Sequence, residues 1–213
     1  YAPQGWTSDD TDAAERVKIQ YGTSMCYPVS SMGSHVSVVP NHQLNRKTPL
    51  HTRANVAYFG TFGYELDLNK LSDEEISEVK QQITFMKEYR ELIQFGTFYR
   101  LKSPFEGNET VWMTVSEDKK TALVFWYRER NVVNADFTRV RLQGLDPDFI
   151  YRNEYNGTEN YGDELMNLGM LTTDCTAGEP TSEDEPCTDY ESRVYVLTES
   201  SKSPASIAKS NKQ

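Results

Sequence analysis

The apolar rhythm of this chain changes at Gly96, and that change limits the folds open to it. Between Ser72 and Ile93, apolar residues fall at Ile76, Val79, Ile83, Met86, Tyr89 and Ile93. Steps of three and four put them on one face of a helix. Ser72 followed three residues later by Glu75 is the signature of a capping box, and Gly96 is placed to end the helix. Beyond Gly96 the helical steps vanish. Short runs such as TFYRL, VWMTVSED, TALVFWYRE, FTRVRLQGL, DFIYRNEY and RVYVLTE are separated by turn signals such as SPFEGN, EDKK and LDPD. Arg139–Leu142 and Arg193–Leu197 alternate polar with apolar, which predicts an antiparallel sheet with one wet face.

Upstream, residues 10–21 read as a helix capped by Asp10, Thr11 or Asp12, with Ala13, Ala14, Val17 and Ile19 supplying helix formers and part of an apolar face. MCYPVSSMGSHVSVVPNHQ is strand-like but broken by Pro28, Gly33 and Pro40, and Val56–Leu68 has further strand character. The first 96 residues thus mix strands with two clear helices, and they look like the end of a larger α/β domain. The expected organisation is that α/β portion over 1–96, an all-β antiparallel portion over 97–199, and a disordered Ser/Lys-rich tail over 200–213.

The chain has 213 residues, 37% hydrophobic and 12% aromatic, enough apolar mass for a real core. Its net charge of −10 repels phosphate backbones, which argues against a nucleic-acid partner. No apolar run approaches the roughly 20 residues that span a bilayer. Cys26, in an apolar run, reads as a buried thiol. Cys175 and Cys187 flank an acidic loop and could close it, the alternative being two free thiols. That pairing, with the N-x-T sequons at Asn108 and Asn156, tilts modestly toward a secreted, oxidising setting.

One stretch gathers chemistry: WTSDDTD, Trp6 to Asp12. Three carboxylates so close repel one another and favour a proton on one of them, the property a general acid needs. Trp6 could supply an apolar wall or a platform for a sugar ring. The structural alternative is an acidic helix N-terminus that suits the macrodipole. A metal site is not expected: His35, His42 and His51 show no i, i+4 pairing on a helix, no Cys-x-x-Cys exists, and His35 and His42 read as loop hydrogen-bonders. There is no nucleophile elbow and no phosphate loop.

The run from PQGWTSDDTDAAERVKIQYGTS through GYELDLNKLSDEE, continued by KEYRELIQFGTFYRLKSPFEGNETVWMTVSEDKKTALVFWYR and more weakly by GLDPD and YGDELMNLG, resembles the microbial α-galactosidases of glycoside hydrolase family 36. The resemblance covers about residues 1–170 and leaves 172–192 and the tail without a counterpart. It implies the end of a (β/α)8 barrel followed by an antiparallel, sandwich-like β domain. It also implies a retaining exo-glycosidase that removes terminal α-linked galactose from melibiose- and raffinose-type oligosaccharides, without metal or organic cofactor, and often a tetramer. The first aspartate of WTSDDTD, Asp9, would be the acid/base and Trp6 would touch substrate, with Ser8 helping to shape the site. Asp12 stands second to Asp9, more plausibly as a helix cap. The family's nucleophile, in a Lys-x-Asp motif on an earlier strand, and its Gly-rich, Cys-containing loop are not in these 213 residues. The chain is therefore expected to be cut from a larger protein and to be inactive alone. The alternative is a non-catalytic carbohydrate-binding or oligomerisation module.

Overall fold

A computed structural model describes residues 3–132, 137–172 and 189–200. The pair Cys175 and Cys187 and the tail beyond Ser200 lie outside the described residues.

The N-terminal part is a run of βα units. A short segment at Gly5 bridges Met32 in parallel. Helix α1 (Ala13–Thr23) leads to β1 (Gly33–Ser37), and α2 (Leu50–Ala57) leads to β2 (Thr61–Glu65). Strands β1 and β2 pair in parallel from Gly33↔Thr61 to Ser37↔Glu65. Three parallel segments joined through helices are the closing portion of a (β/α) barrel. Of the three cap candidates for α1, the structure selects Asp12. Helix α3 (Asp73–Phe95) follows, with the capping box at Ser72 and Glu75 formed and Gly96 as C-cap.

Three local expectations are corrected. Met25–Tyr27 is a turn, not a strand, and Cys26 is exposed, because Pro28 and the α1 C-terminus turn the chain outward there. Val56 and Ala57 belong to α2, not to a strand. The strand preference of Val56 is overridden by burial, since Ala54, Val56, Ala57 and Phe59 all pack in the core. His35 sits on β1 and not in a loop.

The C-terminal part is a six-stranded antiparallel sheet in the order β3–β4–β5–β10–β7–β8. These strands are β3 (Thr97–Lys102), β4 (Glu109–Val115), β5 (Thr121–Arg128), β7 (Ile150–Asn153), β8 (Glu159–Tyr161) and β10 (Glu191–Glu199). A two-stranded sheet of β6 (Arg139–Val140) and β9 (Met170–Leu171) lies alongside, and a short helix α4 (Gly162–Asn167) interrupts the otherwise all-β run.

The expectation of one wet face fails for the centre of this sheet. Trp112, Leu123, Phe125 and Tyr127 join the core of α1, α2 and α3. Val111, Met113, Val115, Val124 and Trp126 face a second core with Val140, Leu142, Leu145 and Leu165. Strands covered on both sides lose alternation, and the run VWMTV, broken only by Thr114, and the unbroken run ALVFWY were its sign. The Trp112 and Phe125 rings stack at 4.3 Å between centroids, and Phe59 meets Trp112 edge-on at 5.8 Å, so aromatic packing joins the βα units to the sheet.

Candidate active site

Catalytic groups of barrels gather past the C-terminal ends of the parallel strands. Asp9 lies there, exposed, on the stretch that leaves the Gly5 segment and enters α1. Its Oδ1 accepts a hydrogen bond from the Trp6 indole N–H at 3.0 Å. The Trp6 ring packs on His35, 4.3 Å between centroids, so part of its surface is taken up by protein. His35 Nδ1 is buried without a hydrogen-bond partner. Burial holds the imidazole pKa below its ordinary value, the nearby Arg16 charge adds to this, and Glu65 opposes it. His35 is therefore neutral at neutral pH.

The three aspartates turn to different partners. The Asp10 amide donates to Ser8 Oγ at 3.1 Å, and Asp10 Oδ1 accepts from the Asp12 amide at 3.0 Å. Asp12 is buried, and its Oδ2 caps α1 by accepting from the Ala14 and Glu15 amides at 3.1 and 3.2 Å. The same oxygen pairs with Arg46 Nη1. Asp12 is thus tied into the structure through Oδ2, with Oδ1 buried without a hydrogen-bond partner, while Asp9 is exposed.

Two arginines were missed by sequence reasoning. Arg46 pairs with Asp12, and its guanidinium lies 5.2 Å from the centre of the Tyr190 ring. Arg16, one turn into α1, is buried, with Nη1 donating to Thr7 Oγ1 and Nη2 to the Gly33 carbonyl. Arg16 falls among the apolar positions of α1, whereas Arg46 sits beside Lys47 outside any helix or strand, and the partners of both lie too far along the chain to be paired by eye. No group of three or more His, Cys, Asp or Glu side chains that could hold a metal occurs among the described residues.

An exposed carboxylate past the strand end of a βα segment, backed by an antiparallel β domain, is an arrangement suited to acid/base chemistry. The melibiase family model matches residues 1–96 and the glycosyl hydrolase family 36 C-terminal domain model matches residues 109–197. The chain belongs to glycoside hydrolase family 36. It is 55% identical over 170 residues to the α-galactosidase AgaA of Geobacillus stearothermophilus, covering 80% of this chain and 23% of that protein. Among solved structures, the α-galactosidase of Lactobacillus brevis superposes with a TM-score of 0.87 at 46% identity, covering 95% of this chain and 27% of that one. A variant of the Geobacillus AgaA in complex with raffinose matches with a TM-score of 0.85 at 47% identity, covering 93% and 26%. The chain spans about a quarter of the length of the curated relatives it matches.

Proposed function

We propose that the chain closes the catalytic barrel and forms the C-terminal β domain of a retaining α-galactosidase, with Asp9 as its acid/base. The observation that carries this reading is the division of labour in WTSDDTD. Asp12 is consumed by a cap and an ion pair, whereas Asp9 stands exposed beyond the strand end, with one oxygen held by Trp6. In the first step a second carboxylate attacks the anomeric carbon, the glycosidic C–O bond breaks, and Asp9 gives its proton to the departing oxygen. In the second step Asp9 takes a proton from water as that water releases galactose from the nucleophile. The nucleophile belongs to the three quarters of the fold outside these residues, about 5–5.5 Å from Asp9 in a retaining enzyme. The substrate class is the raffinose and melibiose type, supported by the raffinose complex of the Geobacillus relative. The enzyme is a homo-oligomer in this reading, a tetramer, which its mass in solution tests.

Leaving-group dependence tests the assignment. In the full-length enzyme, Asp9→Asn should lower kcat/KM on melibiose by about 10²–10⁴-fold. It should do far less to p-nitrophenyl α-galactoside, whose leaving group needs no proton. Equal losses on both substrates would remove Asp9 from the acid/base role. The 213-residue chain alone should not turn over either substrate.

A further inference from the structure

The segment that leads to Asp9 parts from β1 at a definite place. Gly5 donates to the Ser31 carbonyl at 2.8 Å, and Gly33 donates to the Gly5 carbonyl at 2.9 Å. In a parallel ladder the next bond would run from the Thr7 amide to the Gly33 carbonyl. That carbonyl instead accepts from Thr7 Oγ1 at 3.1 Å and from Arg16 Nη2. Arg16 Nη1 donates to Thr7 Oγ1 and, at 3.4 Å, to the Ser8 carbonyl. One planar guanidinium therefore ends the ladder and ties residues 7 and 8 to β1, immediately before Asp9.

This is a costly way to secure a loop. Arg16 is 2% exposed, and its hydrogen-bond acceptors are all neutral oxygens. No carboxylate pairs with it among the described residues; Asp10 and Glu65 act on it only at longer range. A buried cation without a paired anion is a poor source of stability, and an apolar side chain of similar volume would serve a core better. What an apolar residue cannot supply is a rigid fork that reaches β1 and the Thr7–Ser8 segment at once.

We propose that Arg16 is a positioning residue of this site: its fork holds the Thr7–Ser8 segment off the barrel ladder and so fixes where the Asp9 carboxyl stands. The inference rests on the acid/base reading of Asp9. Misplacing a catalytic group by about 1 Å costs on the order of 10²-fold in rate. That cost falls on the step in which Asp9 gives its proton.

The test uses the full-length enzyme with Arg16→Lys, which keeps a buried cation but loses the fork, and Arg16→Ala, measured beside Asp9→Asn. Arg16→Lys should lower kcat/KM on melibiose by about 10²-fold and on p-nitrophenyl α-galactoside by less than tenfold. Added guanidinium ion should restore part of the melibiose activity of Arg16→Ala and none of that of Asp9→Asn. If Arg16→Ala does not fold, the Arg16→Lys ratio decides alone. Proportional losses on the two substrates, or melibiose activity near that of the parent enzyme, overturn the positioning role. Should Asp9→Asn itself show no selective loss, the acid/base reading is what falls. Should Asp9→Asn show it and Arg16→Lys not, only the present inference falls.

Discussion

Replacing Asp12 by Ala separates the two aspartates that compete for the catalytic role. The substitution removes the acceptor for the Ala14 and Glu15 amides, a cap worth about 1 kcal/mol. It also removes the nearer charged partner of Arg46, leaving Glu15 Oε1 at 3.5 Å. The Asp12 side chain is 1% exposed and that of Arg46 is 24%, so this pair is more than a surface bridge, and about 2 kcal/mol is a fair figure for it. The sum, about 3 kcal/mol, raises the unfolded-to-folded ratio by about 10²-fold. Asp9→Ala loses one bond to an exposed indole and should cost below about 0.5 kcal/mol. The assay is a urea midpoint at unchanged slope for each variant, with kcat/KM on melibiose measured in parallel. In an Arg46→Met background the Asp12→Ala cost should shrink toward the cap alone, about 1 kcal/mol. The reasoning is refuted if Asp12→Ala keeps the parent midpoint yet loses melibiose hydrolysis selectively, while Asp9→Ala retains it.

Other outcomes follow from single contacts. His35 has its pKa lowered by burial, so the unfolded chain binds the proton more readily. The stability it contributes is complete above about pH 6.5 and is lost as pH falls below that value. His35→Phe, which keeps a ring against Trp6, should flatten the decline of Tm between about pH 7 and pH 5.5, and a decline identical to the parent's would count against this. Trp112→Ala opens a cavity between Phe59 and Phe125 and should cost about 3–5 kcal/mol by denaturant unfolding. A methyl group on Gly162 would meet the Asp146 carbonyl oxygen at 1.9 Å, so Gly162→Ala should cost about 1–3 kcal/mol in the same assay. Ser72→Ala breaks the capping box of α3 and should cost about 1 kcal/mol, visible as a lower midpoint with catalysis intact.

What could be read from the residues was what short-range physics decides. The α3 capping box and its apolar stripe need only neighbours within one or two turns, and both stand as expected. Helix α2 was hidden because Val56, Tyr58 and Phe59 are types that favour strands, and only the surrounding core makes the first of them helical. The two-sided burial of β4 and β5 was written in their near-continuous apolar runs, but alternation in β10 pointed to a half-wet sheet. In the site, WTSDDTD announced carboxylate chemistry without saying which carboxylate was free. That depended on Arg46, 34 residues from Asp12, and on Arg16 meeting Gly33 across 17. Long-range cations of this kind leave no periodic trace.

The order β3–β4–β5–β10–β7–β8 puts the last-made of the described strands in the interior of the sheet. During synthesis β5 and β7 must each wait with an open edge until residues 191–199 emerge, and open edges invite pairing with other chains. Tyr190, at the head of β10, also supplies the ring beneath Arg46, and Thr52 of α2 donates to its carbonyl at 2.7 Å. A nascent chain stopped before that point would carry Asp9 and the whole βα segment, yet lack the strand that seals the sheet and braces the cap of α1. Loss of that one strand therefore leaves two unpaired sheet edges and an unbraced helix cap in the same product.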